Sequence, residues 1–247
     1  MNTPGAAQIQ GSQFPSAPGS YALRAGEVHV WKIPLASTNV ALANLRGILS
    51  AAERERASRF TFEKDEARFA SCRASLRLLL SRYTGVPPDK IAFRYEPGGK
   101  PALAGIGGWQ FNVSHSRDLA AIAISRCDPV GIDLEFIDPA FRHDEVAFEI
   151  LSAGELHDLA SLPPDAQLPG FFQLWTLKEA LLKAIGGGFS LDPRQFHIRL
   201  DESQIPEIIS APPRFTPVTL ETLPLHPGYA AALAVLSPLS TYSVFTL

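Results

Sequence analysis

Gly131-Ile132-Asp133-Leu134-Glu135 sets two carboxylates two residues apart in a segment of strand character. Side chains alternate along a strand, so Asp133 and Glu135 point one way while Ile132 and Leu134 point the other, into a core. Adjacent carboxylates repel unless a cation lies between them. Hard oxygen ligands of this kind select Mg²⁺, which keeps several waters and completes its shell from substrate phosphates. Taken alone, an Asp-x-Glu pair is more often two ordinary acids at a solvated strand end.

A second cluster follows in Trp175-Thr176-Leu177-Lys178-Glu179-Ala180-Leu181-Leu182-Lys183-Ala184-Ile185. At helical spacing Leu174, Leu177, Leu181, Ala184 and Ile185 share an apolar face, and Trp175, Lys178, Glu179 and Lys183 fall on another stripe. Glu179 and Lys183 are spaced for an exposed i,i+4 ion pair. They serve equally as a third carboxylate and a cation beside a phosphate, and spacing does not decide between the two. A third cluster pairs Gly99-Lys100-Pro101 with Phe111-Asn112-Val113-Ser114-His115-Ser116, read as a short strand running into a polar loop. Ser114 and His115 are suited to hold a phosphate, and Lys100 adds charge. Adjacent Ser and His on a loop do not form a nucleophile–base pair, and no G-x-S-x-G elbow is present, so hydrolase chemistry of that type is excluded.

The elements that position these groups follow from pattern. Residues 1–20 hold three Gly, three Pro, three Ser and no charged side chain, a composition that predicts a flexible tail extending to about residue 24. Glu27 to Ile33 alternates as a half-buried strand. Ser50-Ala51-Ala52-Glu53 is a capping box opening a helix, and Asp65 to Arg82 is helical until Thr84-Gly85-Val86-Pro87-Pro88 stops it. Strands are expected at Ile91–Tyr95, Gln110–Val113, Leu119–Ile124 and Val130–Phe136. Asp144 to Ile185 reads as helix, interrupted by a proline-containing loop at 162–169, and Gly186-Gly187-Gly188 ends it. Strands return at Phe196–Leu200 and Tyr229–Leu236. Both halves thus read as helices followed by strands, an α+β chain dividing into a tail at 1–24, a first unit at 25–127 and a second at 128–247.

The chain has 247 residues, 46% of them hydrophobic, with 22 Lys plus Arg against 25 Asp plus Glu and a net charge of −3. That supplies a real core and excludes wholesale disorder. The absence of a basic excess argues against a general nucleic-acid binder. The longest apolar run, Tyr229 to Leu236, is too short to span a bilayer, and the N-terminal stretch does not read as a signal peptide. Cys72 and Cys127 fit reduced thiols, so the expected compartment is the cytoplasm.

In order along the chain, Gly-Lys-Pro, Phe-Asn-Val-Ser-His-Ser, Gly-Ile-Asp-Leu-Glu and Trp-Thr-Leu-Lys-Glu-Ala-Leu-Leu-Lys-Ala-Ile-Gly closely resemble the 4′-phosphopantetheinyl transferase superfamily, in its longer, monomeric, surfactin-synthetase-activator-like group. The resemblance covers roughly residues 53–190. It implies two similar α/β halves related by a pseudo-twofold axis with the active site between them. It also implies transfer of the phosphopantetheine arm of coenzyme A to a serine of an acyl or peptidyl carrier protein, releasing 3′,5′-ADP. By the same resemblance Asp133, Glu135 and Glu179 bind Mg²⁺, and Glu179 or a water it orients is the base. Lys183 stabilises the pyrophosphate, with Lys178 a second candidate. Ser114, His115 and Arg56 hold the 3′-phosphate, and Lys100 the adenine-side region. Glu53 stands where a relative carries lysine. Glu155 matches a recurrent family position to which the resemblance attaches no role. Two rivals share these residues: a Mg²⁺-dependent phosphodiesterase, and a catalytically silent carrier-binding module that has no need of a metal cage.

Overall fold

A computed structural model describes residues 21–35, 45, 47–186, 191–201, 203–212, 218–239 and 241–247. The expected tail at 1–20 and the helix stop at Gly187 and Gly188 lie outside these residues. Residues 21–24 are not tail-like: Tyr21 stacks on Trp31 with ring centroids 6.2 Å apart, and Leu23 is buried in the first core.

The chain runs through one pattern twice. In the first half, strand β1 (Glu27–Pro34) leads to helix α1 (Ala51–Ala57) and the 22-residue helix α2 (Glu63–Thr84). A short hairpin, β2 (Phe93–Tyr95) and β3 (Pro101–Leu103), precedes the longer β4 (Trp109–Ser116) and β5 (Leu119–Arg126). In the second half β6 (Val130–Phe136) leads through one helical turn, α3 (Ala147–Ile150), to α4 (Ala153–Ala160) and the 22-residue α5 (Pro164–Ile185). The hairpin β7 (His197–Leu200) and β8 (Pro206–Ser210) follows, then β9 (Thr219–Thr222) and β10 (Tyr229–Val235). The sheets repeat as well: β1-β5-β4 in one half and β6-β10-β9 in the other, all antiparallel.

Local sequence explains the matching helices. Ser50 and Glu53 form a capping box on α1, and Ser152 and Glu155 form another on α4, each Ser hydroxyl accepting from the N3 amide while the Glu accepts from the cap amide. Both long helices end on a glycine in the left-handed region, Gly85 at φ 73° and Gly186 at φ 77°, where a side chain would be strained. The expected loop at 162–169 is instead the start of α5. Pro163 and Pro164 occupy the cap and first helical positions, where no N–H is required, and Pro169 lies in the second turn.

Helix α2 packs Leu76, Leu79 and Leu80 on Phe111, Ile122 and Ile124 of the first sheet. Helix α5 packs Phe171, Leu177 and Leu181 on Ala232 and Ala234 of the second. A third cluster, with Val28, Val30, Ala121 and Ala123 from one sheet and Val130, Ile132, Leu134 and Leu233 from the other, joins their inner faces. Strand β1 is therefore buried on both sides at its centre, not half-buried, because Trp31 and Ile33 face α2 while Val28 and Val30 face the second sheet.

One strand breaks the repeat. β11 (Thr241–Thr246) pairs parallel with β1, Trp31 opposite Phe245, and forms the outer edge of the first sheet. A division at residue 128 therefore leaves out the last strand, which the sheet assigns to the first half.

Candidate active site

The two halves meet where β4 lies beside β6. No backbone ladder joins these strands among the described residues; side chains do. The amide of Ile132 donates to Asn112 Oδ1 at 2.9 Å, and that of Phe136 donates to Ser116 Oγ at 3.1 Å. Ser114 Oγ donates to Asp133 Oδ1 and Ser116 Oγ to Glu135 Oε2, both at 2.8 Å. Ser114 and His115 thus belong to a strand, not to a loop after it.

Helix α5 crosses β6 at Gly131. A Cβ there would lie 2.0 Å from the carbonyl oxygen of Ala180 and 2.4 Å from the amide nitrogen of Ala184. Hydrogen in place of a side chain lets helix and strand backbones touch, as close packing at a glycine allows. The approach brings Lys183 Nζ to 2.5 Å from Asp133 Oδ1, 3.2 Å from Ser114 Oγ and 3.4 Å from the carbonyl of Ile132. Among the described residues Lys183 therefore pairs with Asp133 and not with Glu179.

Asp133, Glu135, Glu179, Lys183, Ser114, His115, Val113 and Trp175 line one open cleft of roughly 430 Å³. It adjoins a second cavity, bordered by Gly98, Gly99, Lys100, Asn112, Leu182 and Gly186, with Glu179 and Lys183 common to both. The alternation expected along 131–135 is present: Ile132 and Leu134 are fully buried in the third core while the two acids face the cleft.

Negative charge exceeds its local compensation. Asp133 is 2% exposed, and its Oδ2 is buried with no hydrogen-bond partner among the described residues. Burial, then the neighbouring Asp133 and Glu179, push the Glu135 carboxyl above its ordinary value, against the opposing pull of Ser116 and Lys183. Glu179 is raised by burial and then by Asp133. It makes no hydrogen bond or ion pair among the described residues. Within those residues no trio of acids, histidines or cysteines closes into a preformed metal cage.

The rim beyond β4 is cationic. Burial lowers the His115 pKa, and the nearby charges of Lys183, Arg56 and Arg68 lower it further. The Arg56 guanidinium lies 5.1 Å from the Phe69 ring centroid. Glu53, at the position where a relative carries lysine, is paired: its carboxylate holds Arg77 Nε at 2.6 Å and Arg73 at 2.8 Å.

Two expected ligand-binding lysines are otherwise engaged. Lys100 lies at the second cavity, but its ammonium donates to the carbonyls of Val130 at 2.9 Å and Ala184 at 3.3 Å, tying the first half to β6 and to the end of α5. Burial lowers its pKa to about 8. Lys178 points away from the cleft altogether; it is 1% exposed and paired with Glu155 Oε2 at 2.7 Å. A buried ammonium must find acceptors, and its acceptors lie on the far side of α5. The expectations missed Asn112, Ser116 and Gly131. Ser116 carried a readable signal, because it shares the Ser114 face of the strand.

Comparison with known proteins shows the family of the chain. A model described as 4′-phosphopantetheinyl transferase superfamily matches residues 129–234, and one described as 4′-phosphopantetheinyl transferase, N-terminal matches residues 36–127. The chain is 38% identical to the 4′-phosphopantetheinyl transferase HetI of Nostoc sp. PCC 7120 over 74% of its length and 78% of the relative's. It is 30% identical to Sfp of Bacillus subtilis strain 168 over 77% of its length and 83% of that protein's. The chain belongs to the 4′-phosphopantetheinyl transferase family. Among solved structures, a holo-(acyl-carrier-protein) synthase from Bacillus anthracis in complex with CoA (3′,5′-ADP) matches 43% of this chain and 93% of its own, with 22% identity and a TM-score of 0.38.

Proposed function

We propose that this transferase moves the 4′-phosphopantetheine arm of coenzyme A onto a serine hydroxyl of an apo acyl or peptidyl carrier protein, with Mg²⁺ as its metal. The observation that carries this reading is the convergence of Asp133, Glu135, Glu179 and Lys183 on one cleft at the seam of the two halves.

The donor set fits a hard divalent cation. Asp133 Oδ2 is buried without a partner, and Glu135 and Glu179 are raised partly by their acidic neighbours. Mg²⁺ commonly binds through one or two carboxylates and fills its shell with water and phosphate oxygens. Asp133, Glu135 and Glu179 would hold it, and when bound it would neutralise the diphosphate and the charge developing on the departing phosphate.

The chain's own groups account for the remaining steps. The serine oxygen forms a bond to the phosphorus that carries pantetheine, and the bond from that phosphorus to the bridging oxygen breaks, releasing 3′,5′-ADP. Glu179, or a water it orients, takes the serine proton as general base. Lys183 places a positive charge beside the diphosphate and the phosphate that departs from it. Ser114, His115 and Arg56 receive the 3′-phosphate on the cationic rim, and Lys100 borders the adenine side. One chain supplies both walls of the cleft, which supports a monomer. Cys72 and Cys127 are free thiols, which supports the cytoplasm, and no helix among the described residues is long and apolar enough to cross a membrane.

Incubation with coenzyme A, Mg²⁺ and apo carrier proteins tests the reading. Expected are a phosphopantetheine mass gain on the carrier serine, stoichiometric 3′,5′-ADP, and loss of both on chelation. Coenzyme A hydrolysis with no gain on any carrier would overturn it.

A further inference from the structure

Behind the cleft, on the opposite side of α5, lies an ionic network that none of the expected roles uses. Lys178 Nζ contacts Glu155 Oε2 at 2.7 Å and donates to the carbonyls of Pro193 and Phe196, each at 2.8 Å. Glu155 also accepts from the amide of Ser152 at 2.6 Å and, through Oε1, from the amide of Ile198 at 2.8 Å. Both side chains are essentially inaccessible, at 1% and 0%. This one contact gathers the start of α4, the turn at 193–195, the start of β7 and the middle of α5.

The first half contains the same device. Glu53 Oε2 accepts from the amide of Ser50 and from Arg77 Nε, and Arg77 Nη1 donates to the carbonyls of Pro88 and Ile91. Pro88 and Pro193 each open a short 3₁₀ turn, and Ile91 and Phe196 each follow one. In each half a capping-box glutamate therefore locks a buried cation on the long helix to the segment that returns from it. The following residue differs: Leu78 after Arg77, Glu179 after Lys178.

We propose that Glu155 and Lys178 are a positioning pair for catalysis, fixing the rotation of α5 about its axis so that Glu179 and Lys183 are presented to the cleft. The proposal rests on the transfer reaction proposed above. Successive helical residues are about 100° apart, so holding Lys178 to the rear sets the direction of Glu179, and Lys183 lies about 40° further round. Glu179 has no bond of its own to hold it among the described residues, so its placement depends on the helix that carries it. Burial lowers the Lys178 pKa, and its bond to Glu155 opposes that shift. The 3′-phosphate contacts sit on β4 and α1 in the other half, outside the reach of the pair. Loss of the pair is therefore read chiefly in kcat, with a smaller change in KM for coenzyme A because Lys183 also faces the diphosphate.

Three variants test this against wild type. Glu155→Gln with Lys178→Met removes both charges without leaving either unpaired in the core. Expected is a cooperatively melting protein whose kcat falls about 10- to 100-fold while KM for coenzyme A moves less than about 3-fold, since misplacing a reacting group by ~1 Å costs rates of that order. Lys178→Arg copies the first half and is expected to keep kcat within about 3-fold. If the double variant does not fold, Glu155→Asp, one methylene short, is read by the same two constants. Wild-type kcat in a folded double or Asp variant, or lost kcat in a folded Lys178→Arg, overturns the proposal. A crystal structure of the folded variant separates this from the reaction assignment: the proposal requires Glu179 and Lys183 to be displaced, and an unmoved Lys183–Asp133 contact refutes it whatever the reaction. A wild-type protein that transfers nothing to any carrier refutes the reaction alone.

Discussion

Lys183 Nζ sits 2.5 Å from Asp133 Oδ1, across the strand–helix contact that Gly131 permits, and leaves the second carboxylate oxygen of Asp133 buried and unpartnered. Asp133→Ala is expected to lower transfer at least about 100-fold while the protein still folds, because the acid serves the cleft and Lys183, 30% exposed, can turn to solvent. Carrier labelling alongside a thermal melt checks both halves of the statement. A folded variant with near-normal labelling would remove Asp133 from the metal set.

Glu179→Gln keeps the shape of the side chain and abolishes its basicity. Transfer is expected to fall by about 10²- to 10⁴-fold, the usual range for a general base, with coenzyme A binding retained. Single-turnover rates together with calorimetric coenzyme A titration separate the two effects, and a folded variant at full rate would end the assignment.

His115 stands among Lys183, Arg56 and Arg68, and that positive field is what an anionic phosphate would meet. In His115→Ala and Arg56→Ala the KM for coenzyme A is expected to rise about 10-fold each, with little change in kcat, as for lost charge-assisted bonds. Neither variant should discriminate coenzyme A from its 3′-dephospho form as wild type does. An undiminished preference would place the 3′-phosphate elsewhere.

Gly131→Ala puts a methyl group into the backbone of α5. Both obstacles are main-chain atoms of a helix packed in the core, so relief requires moving the helix off β6. Expected is a loss of about 3 kcal/mol, or roughly 10 °C in Tm for a chain of this size. Calorimetry decides it, and an unchanged Tm would contradict the close crossing.

His29 confers an acid sensitivity remote from the cleft. Trp31 Nε1 donates to the Tyr83 hydroxyl at 2.9 Å, and that hydroxyl lies 2.6 Å from His29 Nδ1, an arrangement satisfied when the imidazole is neutral and accepts. Burial lowers the His29 pKa below 6.5, with Glu27 partly offsetting it. The unfolded chain therefore binds the proton more readily, so stability is complete above pH 6.5 and falls as the pH drops below it. Melts at pH 7.5 and 5.5 are expected to differ less for His29→Gln than for wild type.

The parts of this protein legible in its sequence are those governed by local spacing. The direction of Asp133 and Glu135, the capping box at Ser50, and the α2 stop at Gly85 follow from strand alternation and helix-end chemistry. The contacts that complete the site join residues distant in the chain, such as Lys183 with Asp133, and periodicity carries no information about them. Lys178 shows the limit most clearly. Placed on the polar stripe by its type, it is drawn to the rear by Glu155, although the two Ser-x-x-Glu boxes, each upstream of a basic residue on a long helix, held the clue. Strand β11 was hidden for the same reason, since a parallel partner more than 200 residues away leaves no local mark.

The seam between β4 and β6 is stitched by Asn112, Ser114 and Ser116 and by no shared ladder. Each half keeps its own helix-on-sheet core on either side of it. Behind that polar lacing the apolar cluster of Val28, Val30, Val130, Ile132 and Leu134 joins the two sheets, and Lys100 ties the first half to Val130 and Ala184. The reacting groups thus stand at the polar rim of a seam whose floor is apolar, so the two walls that supply them are held in fixed relation by the core they share.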